Sequence, residues 1–306
     1  MIGGGYPLGR VVNIVGDKST GKTLLAIEAC ANFASEFPEG RIWYREVEAA
    51  FDVDYAEKLG LPSKRVEFNS EPMLTVEDVF EDLTKCIEST QKEGLYIIDS
   101  LDALSDRSEM DRDIDEGTFG ANKAKQLSQM FRRLIQKLGK SNITVIVISQ
   151  VRENIGVTFG RKTTRSGGKA LDFYASQVIF LAQTGQMKRT IRSVERPIGV
   201  RIKAKCDKNK IGMPFRECEF PIIFGFGVDD LAASVAFLES VGALSEITDK
   251  KSTPYLKSVN KLDDDAYFNE IDKVTTLAES VWGEIEEQFM PERRKYEERR
   301  SVPEGG

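Results

Sequence analysis

Residues 16–23 constrain the fold of this chain more than any other segment. They read GDKSTGKT, which matches the phosphate-loop pattern G-x-x-x-x-G-K-[ST] at every fixed position and directly follows an apolar run. Two glycines let such a loop bend so that its backbone N–H groups point at phosphate oxygens, and the helix that follows directs its positive end to the same place. We therefore predict a strand, loop and helix that bind a nucleoside triphosphate, most simply ATP, through Gly16, Asp17, Lys18, Ser19, Thr20, Gly21, Lys22 and Thr23.

Within this loop two side chains have specific chemistry. Lys22 is expected to reach the β and γ phosphates, and the Thr23 hydroxyl is expected to occupy one Mg²⁺ position. A chance glycine-rich turn is the alternative, and the complete match in this context disfavours it.

The composition indicates a globular chain and excludes several kinds of site. With 306 residues, 41% of them apolar and 30% charged, the chain can bury one large core and a smaller second one. It contains no histidine and its four cysteines lack C-x-x-C spacing, which excludes a zinc site and a histidine-based nucleophile. Because no segment resembles a signal peptide or a membrane span, we expect a cytoplasmic protein without a membrane partner.

The net charge of −6 is distributed unevenly. Basic residues predominate over residues 152–210, whereas acidic residues outnumber basic ones from residue 217 to the end. Such a basic stretch is typical of a nucleic-acid contact, and a solvated basic face without a partner is the alternative.

Short β-branched runs alternate with helical patterns from residue 10 to about residue 225, which predicts an α/β fold with a mostly parallel central sheet flanked by helices. Strands are expected at residues 10–15, 41–47, 95–99, 143–149, 178–181 and 200–205. Helices are expected at residues 22–37, 52–59, 75–91 and 123–139.

Two polar segments, residues 105–120 and 151–169, do not fit this alternation and are predicted to be mobile loops with a function. Beyond residue 229 the pattern changes, with helices expected at 230–241 and 263–289. We assign residues 1–228 to one α/β core, 229–290 to a small C-terminal α/β domain, and 291–306 to a flexible charged tail.

Further site residues follow the predicted strands. Asp99 ends an apolar strand, as the metal-binding acid of a second nucleotide-site motif does, and is expected to hold Mg²⁺ directly or through water. Glu48 follows the second predicted strand at the edge where open α/β sheets bind ligands, and is our candidate for activating water, with Glu46 as the competing choice. Gln150 could bond the γ phosphate at the entrance to the second loop, or be an ordinary loop-entry residue.

These segments resemble the RecA family of DNA recombinases. The resemblance covers residues 3–240 in unbroken order and is carried by EVEAAFDVDYA (46–56), YIIDSLDAL (96–104), KSNITVIVISQVRENIGVTFG (140–160), TTRSGGKALDFYAS (163–176) and DKNKIGMPFRECEF (207–220). It implies a RecA-like phosphate-loop NTPase core that uses ATP and Mg²⁺. Phosphate-loop kinases and ring helicases share the phosphate loop and the strand that ends at Asp99. They do not share the sequence around the second loop, residues 140–176, or the segment at residues 207–220.

The resemblance also implies roles for individual residues. Glu48 would activate water, and Gln150 would couple the γ phosphate to the loop that follows it. Asp52 and Tyr55 would help to hold the nucleoside. Lys208 and Lys210 would act in trans at the ATP site of the adjacent subunit, as arginine-finger equivalents, although spacing alone indicates a solvated strand end.

The two polar loops, the first around residues 113–122, would grip single-stranded DNA without sequence preference. The basic side chains of the second loop would neutralise phosphates, its glycines would permit close approach, and its apolar residues could insert between bases. The DNA-binding residues are expected to be Arg152, Ile155, Gly156, Phe159, Arg161, Lys162, Arg165, Gly167, Gly168 and Lys169.

The implied activity is that of a DNA-dependent ATPase that binds single-stranded DNA as an ATP-dependent homo-oligomer. It would accept double-stranded DNA as a second substrate in homologous pairing, strand exchange and DNA repair. Family members have a helix and strand before the core, whereas only 15 residues precede Gly16 here, so a filament, which we favour over a ring, would use a different subunit contact. The alternatives are a ring translocase or helicase, and a non-hydrolysing accessory or annealing protein.

Overall fold

One twisted sheet organises the larger of two units in this computed structural model, which describes residues 1–48, 51–110, 120–153, 163–165 and 168–292. The chain divides into a first unit, Met1–Val228, and a second unit, Asp229–Gly306. The strands are β1 Val11–Gly16, β2 Arg41–Glu46, β3 Val66–Phe68, β4 Gly94–Asp99, β5 Ile143–Glu153, β6 Thr163–Arg165, β7 Gln177–Ile191, β8 Val194–Asn209, β9 Arg216–Ile223 and β10 Gly227–Val228. The α-helices are α1 Lys22–Glu36, α2 Val53–Lys58, α3 Val76–Ser89, α4 Arg107–Met110, α5 Gly120–Leu138, α6 Gly168–Tyr174, α7 Asp230–Ser240, α8 Ser252–Val259 and α9 Asp264–Gln288.

The strand order is β10-β9-β8-β7-β1-β5-β4-β2-β3, with β6 paired to β5. From β7 to β3 all neighbours are parallel, and β8, β9 and β10 extend the sheet as antiparallel strands. The central strands β1 and β4 are buried at every position, as expected of β-branched runs covered by helices on both faces. The predicted α/β class and mostly parallel sheet are therefore confirmed.

Helices cover the two faces of the sheet with separate apolar cores. On one face, Leu83 of α3, Phe131 of α5 and Leu171 of α6 pack against Val11 and Val145. On the other face, side chains of α1 and α2 pack against the alternate residues of the same strands. Because helices cover both faces of the sheet, a ligand can reach the parallel strands at their ends rather than on their faces.

The predicted strands and helices are present, and most boundaries differ by a few residues. The exceptions are β7, which ends ten residues beyond the predicted 178–181, and β8, which begins six residues before the predicted 200–205. Helix α3 begins where Thr75 forms a capping box with Asp78, whose side chain accepts from the Thr75 N–H at 3.0 Å. The short strand β3 was not predicted, because three residues are too few for a period-two pattern.

The predicted loop boundaries were wrong in part. Residues 107–110 form helix α4, and residues 151–153 continue β5 and pair antiparallel with β6, so part of the second segment is a two-stranded ribbon. Helix α6 then begins within the segment predicted as loop. Residues 111–119, 154–162 and 166–167 lie outside the described residues.

In the second unit, α7, α8 and α9 surround an apolar core that includes Leu231, Val235, Tyr255 and Val274. The helices predicted at 230–241 and 263–289 are confirmed. The α/β architecture predicted for this domain is wrong for residues 229–292, which contain helices and turns but no strand. The reason is that its apolar residues recur at helical spacing, with no alternating run that could form a strand. The tail at 293–306 lies outside the described residues.

Among the helices that the structure describes, none combines the length and apolar character needed to cross a bilayer.

Candidate active site

The predicted nucleotide-site residues meet at one edge of the sheet, where four adjacent parallel strands end. Gly16, the last residue of β1, is in register with Gln150 of β5, and Glu46 of β2 is in register with Asp99 of β4. Because the carboxyl ends of parallel strands form the ligand-binding crevice of open α/β sheets, this edge is the candidate active site.

The phosphate loop connects β1 to α1 through a bend that requires glycine. Gly21 precedes the helix in the left-handed conformation, with φ +84°, and a Cβ atom there would overlap Ile222 of β9. The first turn of α1 has neither a side-chain cap nor an acidic residue, so its N–H groups can bind an anion. Within the loop, Thr20 Oγ1 donates to the Asp17 carbonyl at 2.8 Å, and Lys22 Nζ donates to the same carbonyl at 2.7 Å.

Lys22 is surrounded by acidic groups although it is buried. Burial lowers the pKa of the Lys22 ammonium, while Asp99, Asp102, Asp17 and Glu48 act in the opposite direction. The ammonium therefore lies within the electrostatic field of the carboxylates of this edge. A cation in this position can compensate the negative charge of a bound polyphosphate.

Asp99 is held by two hydroxyl groups. Its Oδ2 atom accepts from Thr23 Oγ1 at 2.8 Å and from the Tyr44 hydroxyl at 2.8 Å. The residue is only 8% exposed, and burial raises the pKa of its carboxyl although the two hydrogen bonds lower it. A buried carboxylate beside a threonine hydroxyl is a set of hard oxygen donors, and this set fits Mg²⁺. Among the described residues there is no group of three or more His, Cys, Asp or Glu side chains that could hold a metal unaided.

Glu48 lies at the same edge and is bonded on two sides. Its Oε1 atom accepts from Ser100 Oγ and from Gln150 Nε2, the latter at 3.3 Å. Ser100 directly follows Asp99, so the turn after β4 and the end of β5 both orient the Glu48 carboxylate. Its competitor Glu46 is the last residue of β2, and its backbone N–H donates to Asn69 at 3.1 Å.

A third carboxylate fixes the backbone at this point. Asp102 Oδ2 accepts from the Gln150 N–H at 2.6 Å, so the turn after β4 is tied to β5 where that strand leaves the body of the sheet. Gln150 thus contacts Asp102 through its backbone and Glu48 through its side chain.

The predicted nucleoside contacts lie at the start of α2. Asp52 caps this helix by accepting from the Tyr55 N–H at 3.0 Å, and the Tyr55 ring is 49% exposed. Neither side chain is hydrogen-bonded to the Asp99 or Glu48 groups among the described contacts.

Lys208 and Lys210, at and after the end of β8, are bonded to the carboxyl end of helix α6. Lys208 Nζ donates to the carbonyls of Asp172 and Phe173, the latter at 3.0 Å, and Lys210 Nζ donates to the Phe173 carbonyl at 3.3 Å. Cationic side chains are favourable at the negative end of a helix. Within one chain, therefore, these lysines cap the helix that follows the second predicted DNA loop.

The predicted DNA-binding residues are described in part or not at all. Ile155, Gly156, Phe159, Arg161, Lys162 and Gly167 lie outside the described residues. Arg152 lies in β5, Arg165 in β6, and Gly168 and Lys169 in α6, at positions where only the backbone is described.

Sequence reasoning missed three residues of the site. Ser100 and Asp102 follow the predicted acidic strand end, and their place in the turn at the carboxyl edge was a signal that could have identified them. Tyr44 was counted as part of a strand, and no local signal shows that its hydroxyl would meet Asp99 on the neighbouring strand.

Comparison with known proteins agrees with this geometry. A family model described as the RecA N-terminal domain matches residues 1–229. Proteins named Protein RecA are similar to the chain. That of Syntrophus aciditrophicus is 36% identical over 250 residues, which is 78% of this chain and 69% of that protein. That of Nostoc sp. is 37% identical over 243 residues, which is 79% of this chain and 65% of that protein. That of Wolinella succinogenes is 34% identical over 258 residues, which is 81% of this chain and 70% of that protein.

The chain thus spans about two thirds of the length of these relatives. The matched region contains the whole sheet with the phosphate loop, Asp99, Glu48 and Gln150 at its carboxyl edge. Agreement in sequence over this length, together with this arrangement, shows that the chain belongs to the RecA family.

Proposed function

We propose that this protein is a DNA-dependent ATPase that binds single-stranded DNA as an ATP-dependent oligomer and promotes homologous pairing and strand exchange in recombination and DNA repair. One observation carries the proposal. The Glu48 carboxylate is oriented by Ser100 and Gln150 at the edge where the phosphate loop and Asp99 also lie. A pure scaffold would have no use for such an oriented base.

In this proposal each residue of the site has a defined task. The N–H groups of residues 16–23 and the Lys22 ammonium bind the triphosphate of ATP. Thr23 and Asp99 hold Mg²⁺, which neutralises charge on the phosphates when bound. Glu48 accepts a proton from, or orients, the water that attacks the γ phosphorus.

Gln150 connects this chemistry to DNA. Its side chain contacts Glu48, and the strand that contains it continues to Glu153 and pairs with β6. A change of partner of the Gln150 amide between Glu48 and a γ phosphate would displace the root of the second loop, and with it the proposed contacts to single-stranded DNA. ATP binding then stabilises the DNA-binding arrangement, and hydrolysis releases it.

The proposed oligomer completes the site. Lys208 and Lys210 would leave or share their contacts with α6 and reach the ATP of the adjacent subunit, so that hydrolysis depends on assembly. We favour a helical filament on single-stranded DNA in the cytoplasm, with double-stranded DNA as the second substrate. The relatives named Protein RecA support this assignment.

The proposal is tested by measuring ATP turnover with and without single-stranded DNA. We expect DNA to stimulate turnover, Lys22→Ala to abolish nucleotide binding and tight DNA binding, and Glu48→Gln to bind ATP and DNA but turn over at least tenfold more slowly. Glu46→Gln tests the competing choice, since it removes a carboxylate from the same strand end, and it should keep the turnover of the parent; normal turnover in Glu48→Gln would instead move the role of the base to Glu46 or elsewhere. Absence of DNA stimulation would favour the accessory protein, and directional duplex unwinding would favour the translocase.

A further inference from the structure

The turn after β4, residues 100–103, contacts both elements that lead to the predicted DNA loops. It is anchored from below, because Leu101 is fully buried in the apolar core that α3 and α5 share with the sheet. Next to this anchor, Asp102 bonds β5 through its side chain and α5 through its main chain. The second predicted loop begins where β5 leaves the sheet, and the first ends at the start of α5.

Gln150 is held firmly by its backbone and loosely by its side chain. The Gln150 N–H donates to Asp102 Oδ2 at 2.6 Å, whereas Gln150 Nε2 donates to Glu48 Oε1 at 3.3 Å. Hydrogen bonds to a carboxylate are strong when they are this short, and they weaken as the two atoms separate. The Gln150 backbone is therefore tied to the turn, while its amide can exchange partners at lower cost.

Lys123 ties the start of α5 to the same residue. Its Nζ atom donates to the Asp102 carbonyl at 3.2 Å, and the side chain is half-buried. Lys125, two residues further along α5, is exposed and has no contact with this turn among the described residues. Of these two cations at the start of α5, Lys123 is thus the one attached to the turn.

Asp102 also faces the phosphate loop. Burial lowers the pKa of Lys22, and among the carboxylates that oppose this effect Asp102 is second only to Asp99. The phosphate loop, the end of β5 and the start of α5 therefore all interact with this one residue.

We propose that Asp102 is a positioning residue through which the two DNA loops respond together to ATP. When the Gln150 amide turns toward a γ phosphate, Asp102 would pass the displacement of the Gln150 backbone to the turn. The turn would then pass it to Lys123 and the start of α5. This inference rests on the proposed function, in that ATP and single-stranded DNA are the ligands, and it adds that one carboxylate couples the two loops.

The test measures how strongly the nucleotide changes the affinity for DNA. The Kd for oligo(dT) is measured by fluorescence anisotropy with ADP and with a slowly hydrolysed ATP analogue, and the ratio of the two values is the coupling factor. A change that weakens DNA binding equally in both states leaves this ratio unchanged. A general loss of affinity is thereby separated from a loss of coupling.

Two substitutions of Asp102 separate its hydrogen bond from its charge. Asp102→Ala leaves the Gln150 N–H without its acceptor, and we expect the coupling factor to fall at least about threefold. Asp102→Asn keeps an oxygen acceptor and should keep most of the coupling factor. Glu28→Ala is the control for a structural loss, because Glu28 also accepts a backbone N–H, from Val228 of the edge strand β10 at 2.8 Å. It should leave the coupling factor unchanged.

The branch to the first loop is tested at α5. Lys123→Met should lower the coupling factor more than Lys125→Met, which removes a cation from the same end of the helix. The effect of Lys123→Met should largely disappear in an Asp102→Ala background, because both residues act through one turn. This variant also provides a test that does not depend on the folding of Asp102→Ala.

Four results would overturn the inference and leave the proposed function in place. They are an unchanged coupling factor in Asp102→Ala, an equal fall in Asp102→Asn or in Glu28→Ala, equal effects of Lys123→Met and Lys125→Met, and additive effects of Asp102→Ala and Lys123→Met. A parent that binds oligo(dT) equally well with ADP and with the analogue would overturn the proposed function as well.

Discussion

At the scale of single residues, the Asp99 carboxylate, which we propose to bind Mg²⁺, is buried and held in place by neutral hydroxyl groups. Two neutral hydroxyl donors, Thr23 and Tyr44, bond the same oxygen atom. Burial raises the pKa of Tyr44 well above its usual value, and the neighbouring Asp99 raises it further, so the phenol stays protonated and donates. The Tyr44 hydroxyl would thus orient the proposed metal ligand without binding the metal itself, whereas Thr23 is a proposed ligand of the same ion.

Tyr44→Phe should therefore weaken the use of Mg²⁺ more than it weakens the fold. Removal of the phenol hydroxyl leaves Asp99 oriented by Thr23 alone, and we expect the Mg²⁺ concentration for half-maximal ATP turnover to rise about tenfold. The measurement is a Mg²⁺ titration at saturating ATP.

Tyr96→Phe is the control for this change. Tyr96 is equally buried, and its hydroxyl donates to Asp82 at 2.7 Å, away from the candidate active site. If both variants need the same Mg²⁺ concentration as the parent, the Tyr44 hydroxyl does not orient the metal ligand.

At the scale of secondary-structure elements, Arg45 connects β2, α3 and β3 in the first unit. It lies on β2, is 2% exposed, and donates to Asp82 of α3 at 2.7 Å and to the Glu67 carbonyl of β3 at 2.8 Å. Loss of one partner of a buried ion pair leaves the other partly desolvated and uncompensated.

Arg45→Met should lower the free energy of unfolding of the first unit by about 3–5 kcal/mol. The control, Arg41→Met, removes an exposed ion pair to Glu67 from the same strand and should cost at most about 1 kcal/mol. The two tryptophans lie in different units, so urea unfolding followed by Trp43 fluorescence in a Trp282→Phe background reports the first unit alone. An equal loss of unfolding free energy in Arg45→Met and Arg41→Met would show that the burial of Arg45 does not set its contribution to stability.

The sequence was most informative for strands that are buried on both faces of the sheet. The parallel strands other than β3 were predicted because their β-branched runs are continuous, and Glu48 and Gln150 because such strands end at one edge. The exposed end of the β7–β8 hairpin, residues 188–197, was not predicted, since a polar ribbon has no apolar alternation to reveal it. The contact between Tyr44 and Asp99 depends on the register of two strands distant in sequence, and local patterns do not encode that register.

At the scale of the whole molecule, the contacts of Lys208 and Lys210 make the proposed trans role testable. Both lysines bond α6 of their own chain, so a role within one chain and a role between chains predict similar losses for Lys208→Ala/Lys210→Ala alone. Mixing this variant in equal amounts with Glu48→Gln, which should still bind ATP and DNA, separates the two roles.

In the mixture, the lysine variant supplies an intact Glu48 and Glu48→Gln supplies intact lysines. If the lysines act across a head-to-tail interface, random assembly restores about a quarter of the interfaces, and turnover should recover to that fraction of the parent although each variant alone turns over slowly. If they act only within their own chain, no subunit of the mixture is complete and turnover stays at the sum of the separate variants. Dilution provides the remaining check, because recovery that depends on contact between subunits must fall with protein concentration.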